Sequence, residues 1–175
     1  EYNGIKIFQK NGYKLDDAIE EEIENIILND SEEIPVKLGG EVGNRVYCKT
    51  ALSDYVSHVI STASVRFDGM TIALDCANGS ASVCAKDIFT GLGAKCIMLS
   101  DTPDGENINL KCGSTHPEEL MHFVKNASLD LGLAFDGDAD RMLAVDENGE
   151  LVDGDKVIAI CSQRLKNEGR LAKNT

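Results

Sequence analysis

The sequence has no tryptophan, only 5% aromatic residues and just 3 prolines among 175 residues. Lysine and arginine together number 17 against 30 acids, which leaves a net charge of −13. Each shortage excludes something. With so little proline, and 16 glycines that follow no period, the chain is neither collagen-like nor of low complexity. With so few bases, nucleic acid is a poor partner, because its phosphates would meet a repulsive field. No apolar run approaches the ~20 residues that span a bilayer, so no membrane partner is expected. The opening EYNGIKIF begins with an acid and lacks the apolar stretch of a secretory signal. Six cysteines are present (Cys48, Cys76, Cys84, Cys96, Cys112 and Cys161), but no two form a C-x-x-C pair. That argues against a zinc site and for reduced thiols in a cytoplasmic protein.

What remains is an ordinary globular composition, 42% hydrophobic and 27% charged. Ten of the acids fall within residues 1–35, mostly in DDAIEEEIEN, and read as one solvated helix face. The length suits one full domain with pieces of others.

Hydrophobic spacing sets out the elements. Ile5 to Phe8 reads as a strand, and Leu15, Ile19, Ile23, Ile26 and Ile27 as a helix face that ends at Asn29-Asp30-Ser31. After a connecting segment, Leu52, Tyr55, Val56, Val59, Ile60 and Ala63 share a second face. From Met70 the pattern alternates. Strands are expected at 70–76, 94–99, 129–135 and 142–145. Helices are expected at Ser80–Leu92, with Val83, Cys84, Ile88 and Leu92 inward, and from Pro117, with Leu120, Val124 and Ala127 inward. The fold class is therefore α/β: a layered βαβαββ domain with a mixed, mainly parallel sheet, flanked by partial domains. The turn pair Asn148-Gly149 leads into VDGDKVIAICSQRLKNEG, a further strand end and helix. Both ends of the sequence read as cut.

Ligands of open α/β sheets bind beyond the carboxyl ends of parallel strands. Two such ends carry unusual residues. Asp75-Cys76-Ala77-Asn78-Gly79 leads from a strand to a helix start, with Asn78-Gly79 read as a tight turn. Phe135-Asp136-Gly137-Asp138-Ala139-Asp140-Arg141 is the sharper signal. Three carboxylates alternate there, and close neighbours of one sign repel strongly. A hard divalent cation relieves that repulsion, and Mg²⁺ suits a few carboxylates plus a phosphate oxygen. Arg141 can offset residual charge and grip a phosphate with its planar fork. A calcium EF-hand also begins D-x-D-x-D, but Arg141 stands where that loop needs glycine. A haloacid-dehalogenase-type nucleophile loop fits less well, because Asp140 stands where Thr or Val is usual.

FDGDADR resembles the metal loop of the α-D-phosphohexomutases, four-domain enzymes that move a phosphate between the 6- and 1-positions of a sugar. EYNGIK, LDCANGSAS and LVDGDKVIAI resemble other stretches of that family in the same order. The resemblance implies that residues 1–46 end the first, serine-bearing domain. It makes residues 47–148 the complete second, metal-binding domain and 149–175 the start of the third, sugar-binding one. It implies Mg²⁺ at Asp136, Asp138 and Asp140, and catalytic roles at the transferring phosphoryl group for Arg141 and Lys6. The phosphorylated serine would precede Glu1, leaving the chain inactive alone. NINLKCGSTHPEEL resembles the branch acting on glucosamine phosphates, with a phosphorylated hexosamine as substrate and the remaining domains of the parent enzyme as partners. That branch lies on the route to UDP-N-acetylglucosamine and the bacterial cell wall. A phosphomannomutase/phosphoglucomutase-type member, or a non-catalytic metal- or phosphate-binding module, stays open as an alternative.

Overall fold

A computed structural model describes residues 7–29 and 37–172. The chain divides into two units, Glu1–Tyr47 and Cys48–Thr175. In the first, Phe8 and Lys14 pair in an antiparallel bridge around a tight turn, with Gly12 at φ 84°. The helix α1 (Asp17–Asn29) follows, and Lys14 pairs with Asp17 and Glu20 at its start. Leu15, Ile23 and Ile26 are half-buried, whereas Ile19 and Ile27 of the expected stripe are exposed.

The second unit opens with α2 (Ala51–Thr62) and then builds a sheet. Its elements are β1 (Thr71–Asp75), α3 (Ala85–Gly91), β2 (Lys95–Leu99), α4 (Glu118–Asn126), β3 (Leu131–Phe135), β4 (Met142–Val145), β5 (Leu151–Val152) and α5 (Gly154–Asn167). The strand order is β2-β1-β3-β4-β5. β1 runs parallel to both β2 and β3, while β3–β4 and β4–β5 are antiparallel. The mixed α/β sheet expected from the alternation is thus present, with β5 added at its edge.

The order explains the layers. The chain leaves β1 for β2 on one side and returns past it to β3 on the other. Right-handed crossovers in opposite directions put their helices on opposite faces. Ile72, Leu74, Cys76 and Leu133 pack with Ala81 and Ala85 on one face. Ala73, Ala134 and Val145 pack with Leu120, Val124 and Leu129 on the other. β1 is buried on both faces, which is why TIALD reads as a continuous apolar run rather than an alternating one.

Two inward assignments are corrected. Residues 80–92 do not form one helix: a 3-10 turn over Ser80–Val83 precedes α3, with a break at Cys84. The tighter turn advances each side chain by more than an α-helix does. Ala81 and Ala85 therefore face the core, and Val83 is 61% exposed. Ala127 is exposed because α4 stops at Asn126. Ser128, at φ 52°, closes the helix with a Schellman-type pair of bonds, its own N–H to Lys125 and that of Leu129 to Val124. Leu129 enters the core instead.

Gly132, midway along β3, lets α4 approach: a Cβ there would lie 2.6 Å from Val124 Cγ2 and 3.1 Å from Leu120 Cγ. Gly132→Ala should therefore destabilise the chain by about 1–3 kcal/mol through overpacking. Thermal unfolding checks this, and an unchanged Tm would mean that α4 yields freely.

Candidate metal site

The strand order reverses at β1, so a crevice opens between the carboxyl ends of β1 and β3. The two loops singled out in the sequence leave the sheet there. After β1 the chain makes a tight turn, closed by the Gly79 N–H on the Cys76 carbonyl at 2.8 Å. Its central residues, Ala77 and Asn78, both have positive φ, 51° and 49°. Asn78 is a good residue for that conformation and Ala77 a poor one. The turn is pinned from outside. Asn78 donates its N–H to Ser100 at 2.6 Å and accepts the Thr102 N–H on Oδ1 at 3.2 Å.

After β3 the chain turns through Asp136–Arg141. Asp136 is 4% exposed, while Asp138 and Asp140 are exposed. One oxygen of each carboxylate lies within 4.8 Å of the others. Arg141 closes the loop. Its backbone N–H reaches Asp136 Oδ1 at 3.1 Å and its Nε reaches Oδ2 at 2.9 Å. The same Nε lies 3.5 Å from Asp140. Burial works against ionisation of Asp136, but the backbone and guanidinium bonds from Arg141 outweigh it and hold the carboxyl below its usual range.

The two loops touch through backbone. The Ser80 N–H donates to the Gly137 carbonyl at 2.9 Å, and a Cβ on Gly79 would run into that same carbonyl. A third segment, the 3-10 turn Gly113–Thr115, stands beside them. Gly113 has φ 71°, and a Cβ there would strike the Phe135 carbonyl. Ser114 and Thr115 line a hollow with Arg141, Met142 and Leu143. Beyond the presence of a glycine in each segment, nothing local in the sequence connects Gly79 and Gly113 with the acidic loop that contains Gly137. The contacts themselves join residues distant in sequence. Lys6 lies outside the described residues. Cys76 is fully buried, and burial pushes its thiol up to about 12, so it acts as a small apolar side chain.

The donor set fits a hard cation. All three groups offer carboxylate oxygen, which suits Mg²⁺ and not the softer transition metals. Bonds of about 2.1 Å put ligand oxygens roughly 3–4 Å apart around one octahedral ion. One oxygen of each carboxylate lies within 4.8 Å of the others, a somewhat wider gathering than that spacing.

The fold and site define a class of three-layer α/β domain that carries an acidic, arginine-closed loop at its switch point. A family model described as phosphoglucomutase/phosphomannomutase, alpha/beta/alpha domain II, matches residues 53–149. Phosphoglucosamine mutase of Clostridium novyi (strain NT) is 52% identical over 174 residues, 99% of this chain and 39% of that protein. Phosphoglucosamine mutase of Clostridium acetobutylicum is 53% identical over the same shares. Among solved structures, a phosphoglucomutase/phosphomannomutase family protein from Burkholderia thailandensis superposes with a TM-score of 0.56 at 25% identity, covering 67% of this chain and 26% of that one. The chain belongs to the phosphoglucomutase/phosphomannomutase family, the α-D-phosphohexomutases, and spans about 39% of the length of these curated relatives.

The Arg141 contact has a measurable consequence. A carboxyl with a depressed pKa stabilises the fold above the ordinary range of about 4, and that contribution is lost as pH falls through the depressed value. Arg141→Gln should raise the Asp136 titration midpoint, read by carboxyl NMR, and move the acid limb of the stability curve to higher pH. An unmoved midpoint would show that the guanidinium does not set the ionisation of Asp136.

Proposed function

We propose that the chain is the metal-bearing part of a phosphoglucosamine mutase, which interconverts glucosamine 6-phosphate and glucosamine 1-phosphate. The observation that carries this is the convergence of Asp136, Asp138 and Asp140 at the switch point, in a chain about half identical to named phosphoglucosamine mutases.

In this reading Asp136, Asp138 and Asp140 hold Mg²⁺. When bound, the ion neutralises charge on the phosphoryl group during transfer. The protein's own residues do the rest. Arg141 fixes Asp136 through Nε and turns its exposed guanidinium toward the hollow that Ser114 and Thr115 also line, where an anionic group of the substrate would sit. By its resemblance to the family's N-G-x-K stretch, Lys6 would act as a second cation that stabilises negative charge on the transferred phosphoryl group. The phosphate itself is carried by a serine of the parent enzyme, and a bisphosphorylated sugar is the intermediate. The chain alone is then inactive, and its parent is a cytoplasmic enzyme that feeds UDP-N-acetylglucosamine synthesis for the cell wall.

The experiment uses the longer protein that contains this chain. Asp138→Ala should lower kcat for glucosamine 6-phosphate by about 10²–10³, the loss of several kcal/mol of transition-state stabilisation, with the Tm nearly unchanged because the side chain is exposed. Lys6→Ala should lower kcat more than it raises KM, as expected of a charge that acts on the transferring group. Full activity of Asp138→Ala would refute the metal assignment. A wild-type protein that turned over glucose or mannose phosphates in preference would move it to the other branch of the family.

A further inference from the structure

We propose that Asp75 is a positioning residue for the metal loop, an inference that rests on the reading of Asp136, Asp138 and Asp140 as Mg²⁺ ligands. Among the described residues, the buried charged side chains are Asp75, 2% exposed, and Asp136, 4% exposed. Asp75 ends β1 and Asp136 directly follows the neighbouring parallel strand β3, and Asp75 stands in register with Ala134, two residues before Asp136. Arg141 accounts for the burial of Asp136. The bonds that Asp75 makes are of a different kind. Its Oδ1 accepts the Ala77 N–H at 3.0 Å, and its Oδ2 accepts the Gly113 N–H at 2.7 Å. A buried carboxylate held by backbone amides is a costly feature that a structure keeps for what it ties together.

What it ties together is the pair of loops on which Asp136–Arg141 rests. Ala77 and Gly113 both have positive φ, 51° and 71°, and for alanine that conformation is strained. Asp75 binds both. From the Ala77 side, the turn presents Gly79 and Ser80 to the Gly137 carbonyl. Ala77 also accepts the Asn109 N–H at 2.9 Å, and the Asn109 amide lies against Gly137. From the other side, Gly113 sits against the carbonyl of Phe135, the residue before Asp136. The metal loop is therefore laid between two backbone surfaces, and one carboxylate sets the distance between them.

The test compares the 175-residue chain with Asp75→Asn and with Val124→Ala, a core variant on the α4 face that destabilises without touching these loops. Asparagine leaves one acceptor oxygen and turns an amide NH₂ toward the other backbone N–H. In metal-free protein, Asp75→Asn should speed hydrogen exchange at the Ser80 and Arg141 amides, which bond within the metal loop, while Val124→Ala should not do so at matched loss of Tm. With Mg²⁺ alone as the probe, Asp75→Asn should weaken binding about tenfold or more, as changes to supporting residues do, and Val124→Ala should leave it within about twofold. Coupling is reciprocal, so in the wild type saturating Mg²⁺ should slow exchange at Ala77 and Gly113. That last measurement stands even if Asp75→Asn fails to fold. Equal Mg²⁺ affinity in wild type and Asp75→Asn, or equal weakening by Val124→Ala, would overturn the inference, as would Ala77 and Gly113 amides indifferent to bound Mg²⁺. A wild type whose residues 136–141 ignore Mg²⁺ refutes the ligand reading instead, and the metal-free exchange then decides the role of Asp75.

Discussion

Three carboxylates spaced two residues apart in one loop repel each other, and the contact that makes their gathering tolerable is the grip of Arg141 on Asp136. Asp136 is the buried member of the three, so it bears the largest cost of ionisation. Arg141 meets that cost twice, with its main-chain N–H and with its guanidinium. Because both bonds come from one residue five positions along, they also close the loop and turn Asp138 and Asp140 toward the same point. The side chain of the same arginine remains 81% exposed, available to an anion. A chain of net charge −13 has few cations with which to attract any anion, and this one is placed beside the hollow.

The sheet decides where that loop can be. The reversal of strand order at β1 leaves the space beyond β1 and β3 uncovered by either crossover helix. Burial of β1 on both faces makes it the rigid centre from which the first turn leaves. Backbone-to-backbone approach at Gly79 and Gly137 then stacks one loop on the other at a separation no side chain would permit. Chemistry at the rim is thus referred to the most buried strand of the domain through a few main-chain contacts.

Features that depend on neighbours in sequence were legible. TIALD and LGLAF read as buried strands, and FDGDADR carries its own repulsion in plain view. The mixed sheet followed from the short link between β3 and β4. What escaped depends on geometry that residue type does not encode locally. The 3-10 turn at Ser80–Val83 shifts the helical phase, so Val83 points outward where an α-helix would bury it. Ser128 takes the left-handed role usually given to glycine, so α4 ends before Ala127 turns inward. Asp75 stands out in the sequence only as part of an unusual strand end, and its bond to Gly113 is not legible there because the partner lies 38 residues away.

Diffraction from crystals of the 175-residue chain grown with Mn²⁺ in place of Mg²⁺ tests the central claim most directly. Mn²⁺ accepts the same hard oxygen ligands and scatters anomalously. The account predicts one strong anomalous peak within about 2.2 Å of an oxygen from each of Asp136, Asp138 and Asp140, with Arg141 still bonded to Asp136. An ordered Mn²⁺ at another acidic cluster, with the 136–141 loop empty, would contradict it.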